Sequence, residues 1–111
     1  MDRMRLLLAS FLILLAPAAG LAHPCDADAI KRGMPLLKLH FEADSLADAS
    51  VDDSVKELPP IKALKGTGRF DVLEVWGRIY KADYRMRFIY AQIPGSCVLM
   101  GQEILEASDP Y

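Results

Sequence analysis

Cysteine is scarce in this 111-residue sequence, where only Cys25 and Cys97 occur. Two cysteines and two histidines equal four zinc ligands by number, but no C-x-x-C or H-x-x-x-H spacing is present to hold the ion. The sequence therefore does not favour a structural zinc site. At this length the chain forms one small domain, which buries only about 60 to 65% of its unfolded surface and benefits from a covalent link.

Catalytic motifs are also missing. The sequence has no G-x-S-x-G, no P-loop, no glycine-rich dinucleotide turn and no H-E-x-x-H. Ser96 and Cys97 would imitate a nucleophile with a histidine base only if the cysteine stayed reduced. The adjacent acids Asp52 and Asp53 lie in a polar stretch, where we expect both to be solvated. We expect a protein that is not an enzyme and uses no cofactor.

No hydrophobic run is long enough for a transmembrane helix, which needs about 20 apolar residues. The longest run, Leu6 to Ala16, has about 11 residues and follows two arginines, as in a cleavable secretory signal. Small residues precede a cut after Ala22, so residues 1–22 are predicted to be removed and residues 23–111 to form a single small secreted α+β domain. A cut after Ala18 and an uncleaved anchor are the weaker alternatives.

Export would take the two cysteines into an oxidising compartment, where such pairs usually close. We therefore predict a Cys25–Cys97 disulfide and a periplasmic or secreted location. In the chain-entropy model a loop this long adds roughly 4 kcal/mol of stability. The alternative is two separate buried thiols.

Charge is nearly balanced, with a formal net charge of −2. Acids outnumber bases in residues 23–60, whereas residues 61–111 are mildly basic. A nucleic-acid-binding domain needs a concentrated basic face, so we expect no nucleic-acid partner.

The segment after the cut favours a short helix at 24–33. Acidic residues occur at its start, basic residues near its end, and Gly33 is a helix-ending signal. Leu37, Leu39 and Phe41 alternate with polar residues, which predicts a strand at 37–42. Residues 43–57 are expected to form a loop with at most one helical turn. Leu58-Pro59-Pro60 then ends this segment, because paired prolines continue neither a helix nor a central strand.

The second half of the chain is rich in β-branched and aromatic residues. It predicts three further strands, at 69–80, 84–93 and 97–106, separated by turn-like Lys81-Ala82-Asp83 and Pro94-Gly95-Ser96. Short connections favour antiparallel neighbours. The predicted fold is α+β: an antiparallel meander of about four strands with one short N-terminal helix and a single disulfide.

Alternation assigns the two faces of the first hairpin. The predicted core side chains are Leu73, Val75, Ile79, Tyr84, Met86, Phe88 and Tyr90. A register that keeps them together pairs Ile79 with Tyr84 and Val75 with Phe88. A three-residue loop closed by Tyr80 and Tyr84 would instead shift the register by one and mix the faces.

The opposite side of this hairpin holds the most site-like group of the chain. Its members combine aromatic rings with guanidinium groups, which bind carboxylates and stack on rings: Trp76, Arg78, Tyr80, Arg85 and Arg87. The predicted register places Arg78 near Arg85 and Trp76 near Arg87. Two adjacent arginines need an anion, and an internal acid such as Glu74, Asp83 or one in 42–57 is the simpler source than a partner.

His23 suggests a different function. As the first residue of the processed chain it would offer an amine and an imidazole to copper(II), with His40 as a possible third ligand. Pro24 argues against this site because it removes a backbone nitrogen that amino-terminal copper motifs use. The alternative is that both histidines are ordinary surface residues.

In composition the chain resembles small periplasmic proteins of Gram-negative bacteria, among them lysozyme inhibitors and envelope accessory factors. The resemblance rests on a signal peptide, one disulfide and a small sheet, and it transfers no functional residue. Trp76 and Tyr80 lie on the polar side of a strand, where a monomer gains little from them. We therefore expect a non-catalytic binding or accessory domain that recognises a protein or an envelope component through the exposed strand face, or through an exposed edge strand at 97–106. Copper binding through His23 is the alternative. The processed chain is expected not to span a membrane.

Overall fold

The computed structural model of the chain describes residues 22–110. These residues form an α+β domain with one helix and five strands, one strand more than predicted. The elements are α1 (Asp26–His40), β1 (Ala49–Val51), β2 (Lys56–Lys62), β3 (Arg69–Ile79), β4 (Ala82–Ala91) and β5 (Leu99–Glu106). The predicted signal peptide, apart from Ala22, lies outside the described residues.

The helix α1 is longer than predicted, and the strand at 37–42 is wrong. Gly33 does not end the helix: a Cβ at this position would lie 2.7 Å from Cγ1 of Val51, so the glycine permits close contact with β1. Beyond Pro35, the buried Leu36 and Leu37 continue the helix against the sheet. Their burial offsets the cost of about 3 kcal/mol that an internal proline imposes. Leu39, expected in the core, is 66% exposed.

Two strands occur where mostly loop was predicted. β1 pairs with the end of β3, and β2 pairs with its beginning. The prolines of β2 fall at a register shift between Leu58 and Ile61, and among the described strands β2 pairs with β3 alone. An edge strand tolerates proline because its outer N–H groups have no ladder partner.

All strand pairs are antiparallel, in the order β1-β3-β4-β5, with β2 also paired to β3. The predicted hairpin register is wrong by two residues, since Ile79 pairs with Ala82 and Val75 with Met86. Tyr80 adopts a φ of 55°, so that a two-residue turn joins β3 to β4. Because the shift is even, each side chain stays on its predicted face.

The core lies between α1 and one face of the sheet, called the inner face here. Its fully buried side chains are Ala29, Leu37, Leu73, Val75, Met86, Phe88 and Tyr90. The predicted Cys25–Cys97 disulfide is confirmed, with a Cα–Cα distance of 5.6 Å. It joins the residue before α1 to the segment that leads into β5. No helix in residues 22–110 has the length and apolarity required to cross a membrane.

Candidate functional site

The face of the sheet opposite α1 carries the candidate partner-binding residues and is called the outer face here. In residues 22–110 the single helix packs on the inner face. Cross-strand neighbours share a face, so the strand register extends the outer face beyond the predicted group. It also includes the apolar side chains of Leu58, Ile61, Phe70, Val72, Ile89 and Leu105. Phe70 and Val72 share the parity of Trp76, so strand alternation alone would have placed them on this face.

Glu74 lies near the centre of the outer face and is only 7% exposed. Its Oε2 accepts a hydrogen bond from Nε of Arg87 at 3.0 Å, and its Oε1 accepts one from the indole Nε1 of Trp76 at 3.1 Å. Both carboxylate oxygens are therefore satisfied inside the domain. The guanidinium of Arg87 is therefore occupied by Glu74 and is not free to bind another molecule. The same carboxylate holds the Trp76 indole in one orientation.

Arg78 is also neutralised internally. Its Nη1 donates to Oδ1 of Asp83 at 2.6 Å, and its Nη2 donates to Oδ2 of Asp52 at 3.1 Å. The register places Asp83, not Arg85, directly opposite Arg78, so the predicted arginine pair does not form. The anion expected near Arg78 is therefore internal and consists of the carboxylates of Asp83 and Asp52.

Arg85 differs from its two neighbours. It lies between Trp76 on β3 and Leu105 on β5, and its side chain has no hydrogen bond or ion pair to any residue of 22–110. Leu105 beside it is 56% exposed. The structure thus brings Trp76 and Arg85 together, a pair that the predicted register did not join.

Tyr80 lies apart from this pair, at the turn between β3 and β4. It is 78% exposed, and Nζ of Lys81 lies 5.5 Å from the centre of its ring. The five predicted contact residues therefore divide into a hairpin end, with Arg78 and Tyr80, and a central part, with Trp76, Arg85 and Arg87.

His23 and His40 lie at opposite ends of α1. Nδ1 of His23 accepts the backbone N–H of Cys25 at 2.9 Å, so the other ring nitrogen, Nε2, carries the proton and donates to Oδ2 of Asp71 at 2.9 Å. The ring of His40 packs against Phe41, with the ring centres 4.9 Å apart. No group of three potential metal ligands occurs within the described part of the chain.

A groove of about 290 Å³ borders His23 and includes Asp71, Gln92 and Ser96. Nε2 of Gln92 donates to Asp71, and this bond and then that of His23 lower the pKa of the Asp71 carboxyl. Because both ring nitrogens of His23 have partners, neither is free to activate Ser96 as a nucleophile. Cys97 is disulfide-bonded, as predicted, so it offers no thiol nucleophile.

Comparison with known proteins adds no functional assignment. No protein-family model, no curated protein and no solved structure matches the chain. Function is therefore inferred from the geometry of the outer face.

Proposed function

We propose that this protein is a non-catalytic binding domain, acting in the periplasm or outside the cell, that recognises a protein partner through its outer face. One observation carries the proposal: the Arg85 side chain has no hydrogen-bond or ion-pair partner in residues 22–110, and it lies beside Trp76 and the exposed Leu105 on a face that α1 leaves open. The Cys25–Cys97 disulfide is consistent with an oxidising location.

The chemistry of the outer face fits a protein surface. Aromatic side chains and arginine are enriched at protein interfaces and dominate their energetics, usually near the centre of a packed patch. The guanidinium of Arg85 binds a carboxylate through two parallel hydrogen bonds. The partner is therefore expected to present an Asp or Glu side chain surrounded by apolar residues.

The internal bonds of the outer face support specific binding at a low cost in side-chain entropy. Glu74 holds the indole of Trp76 through a hydrogen bond of 3.1 Å, so the ring loses little freedom when a partner packs on it. Arg87 and Arg78 are neutralised by internal acids. A single unpaired arginine at the centre suits one carboxylate better than the many phosphates of a lipid or glycan surface.

An anionic envelope component and a partner strand are the competing targets. β5 is an edge strand, and a partner strand that paired with it would extend the sheet. The contacts of His23 do not favour the copper alternative, because its two ring nitrogens are bonded to Cys25 and Asp71.

Affinity capture from the envelope fraction, with a tag after Tyr111, tests the proposal. The captured partner is then purified, and the dissociation constant of its complex is measured with the wild type, with Arg85→Ala and with Leu105→Ser. We expect each substitution to weaken binding at least about tenfold, as for central interface residues. Lys65→Ala, an exposed change in the β2–β3 connection, is the matched control and should bind as the wild type does.

Three results would contradict the proposal. Unchanged affinity of Arg85→Ala and Leu105→Ser would move the interface elsewhere, to the β5 edge for instance. Saturable binding to vesicles of anionic lipid, lost on Arg85→Ala, would replace the protein partner by an envelope component. Capture that is equal for the wild type and both variants counts as nonspecific.

A further inference from the structure

Asp26, the first residue of α1, carries an unexplained buried carboxylate. The residue is 3% exposed. Its Oδ2 accepts the backbone N–H of His23 at 2.9 Å, but its Oδ1 is buried and has no hydrogen-bond partner. Within residues 22–110 it is the one buried side-chain oxygen or nitrogen in this state. Buried polar atoms are rarely left without a partner, so this oxygen requires an explanation.

The charge of Asp26 is also uncompensated. No lysine, arginine or histidine of residues 22–110 forms an ion pair with it. By contrast, the carboxylate of Asp28 forms an ion pair with Arg32, and that of Asp71 accepts a hydrogen bond from His23. A buried carboxylate without a cation is costly, even at a helix N-terminus, where the backbone dipole supplies only a fraction of a positive charge.

We infer that the missing partner of Asp26 is the α-ammonium group of His23, which forms when the chain is cleaved after Ala22. Hydrolysis of the Ala22–His23 bond consumes one water molecule and leaves a carboxylate on Ala22 and, at neutral pH, a protonated amine on His23. The peptide N–H of the precursor has one hydrogen and serves only Oδ2. The ammonium has three hydrogens and a full charge, which suffice for Oδ1 as well.

The nitrogen of His23 is already held in place for this role. The backbone N–H of Asp26 donates to the carbonyl of His23 at 3.1 Å, forming a turn that keeps the His23 nitrogen beside the carboxylate. The imidazole is fixed by Asp71 and by the Cys25 N–H, and Cys25 is fixed by the disulfide. Ordering a flexible segment would reduce the net stabilisation from an ion pair. Here no such segment has to be ordered, because the His23 nitrogen is already in place. Ala22 is exposed, so its removal uncovers no buried part of the domain.

The inference makes the stability of the fold depend on processing. A precursor with an intact Ala22–His23 bond keeps Asp26 half-satisfied, whereas the processed chain gains a buried, charge-assisted ion pair. The ammonium site lies at the start of α1 and does not involve the outer face, so the inference is independent of the proposed partner-binding function.

Four chains test this ion pair. Two chains begin at His23 and two begin at Ala22. Each start is made once with the wild-type Asp26 and once with Asp26→Asn. All four are released from a fusion by a protease that leaves no extra residue. We expect the unfolding equilibrium constant in urea to be at least about tenfold smaller for the His23 start than for the Ala22 start. With Asp26→Asn this difference should disappear. Asp44→Asn, an exposed acid, is the control that should preserve it.

A labelling experiment covers the case in which Asp26→Asn does not fold. Acylation of the terminal amine by an N-hydroxysuccinimide ester at neutral pH should be at least about tenfold slower for the His23 start than for the Ala22 start, because an amine bound to a buried carboxylate is shielded. Equal stability and equal labelling of the two starts would overturn the inference. So would N-terminal sequencing of the exported protein that finds a first residue other than His23.

Discussion

Arg87 donates through Nε to Oε2 of Glu74 at 3.0 Å, and the pair lies on the outer face with Glu74 almost fully buried. Two residues earlier on the same strand, Arg85 faces the same way without any partner in residues 22–110. One arginine therefore neutralises a buried carboxylate of the face, while the side chain of the other is the one proposed to contact a binding partner. This difference separates a structural residue of the site from a residue proposed to bind.

Arg87→Ala should destabilise the domain, whereas Arg85→Ala should not. Removing Arg87 leaves a buried carboxylate without its cation, and we expect a loss of about 1 to 3 kcal/mol in the free energy of unfolding. Removing the Arg85 side chain breaks no hydrogen bond or ion pair in residues 22–110, so the change should stay within about 0.5 kcal/mol. Urea unfolding of both variants measures the difference. Equal losses would mean that Glu74 does not depend on Arg87.

Gly33→Ala should destabilise the domain, although alanine has a higher helix propensity than glycine. The added Cβ would lie 2.7 Å from Cγ1 and 3.0 Å from Cγ2 of Val51, a stiff side chain. We expect a loss of about 1 to 3 kcal/mol from overpacking. In a Val51→Ala background the two closest contacts are removed, and the remaining close atom, Cε of Met86 at 3.3 Å, is the end of a flexible side chain. Gly33→Ala should then gain up to about 1 kcal/mol of helix stability. The same loss in both backgrounds would show that Gly33 has another role.

Acid should destabilise the domain in part through Asp28. Its burial opposes ionisation, but hydrogen bonds from Arg32 and Tyr90 prevail and lower the pKa of its carboxyl below the ordinary 3.8. A folded-state pKa below the unfolded one means that the stabilisation is complete above about pH 4 and is lost as the pH falls through the folded pKa.

Tyr90→Phe tests the Asp28 contact. It deletes the hydroxyl that donates to Asp28 at 2.7 Å, and we expect a loss of about 1 kcal/mol at neutral pH. The fall in stability below about pH 4 should also be smaller than in the wild type, because the folded pKa of Asp28 moves back toward its ordinary value. Urea titrations at neutral and acid pH measure both effects. An unchanged acid dependence would show that Asp28 gains nothing from Tyr90.

Replacing both cysteines, Cys25→Ser with Cys97→Ser, should reduce the free energy of unfolding by about 2 to 5 kcal/mol. The bridge closes a long loop and positions the residue before α1 against the segment before β5. Denaturant unfolding of this variant and of the wild type with and without reductant measures the loss. Wild-type stability that is unaffected by reductant would contradict the prediction.

The strands β3, β4 and β5 could be predicted because their alternation has a period of two and their turns contain Gly, Pro or short polar segments. The helix extension could not, because Gly33 and Pro35 are helix-ending signals in isolation. They are overruled only by contacts with Val51 and by the burial of Leu36 and Leu37. β1 is three residues long and has no pattern of its own, so its pairing with β3 defines it.

The sequence could predict which face of the sheet carries the candidate site, but not which side chains are cross-strand neighbours on it. Parity alone placed Trp76, Arg85 and Arg87 on one side of the sheet. A hairpin shifted by two residues keeps every side chain on that side yet changes each cross-strand neighbour, so that Glu74 faces Arg87 and Trp76 faces Arg85. Which arginine lacks a partner depends on this register.

The sequence by itself determined the fold class, the disulfide and the side of the sheet that each strand residue occupies, because these follow from local alternation and from the presence of a single cysteine pair. Tertiary structure alone decided the length of α1, the neutralisation of Arg78 and Arg87, and the burial of Asp26. Each of these depends on distances between residues far apart in the chain, which local patterns do not encode.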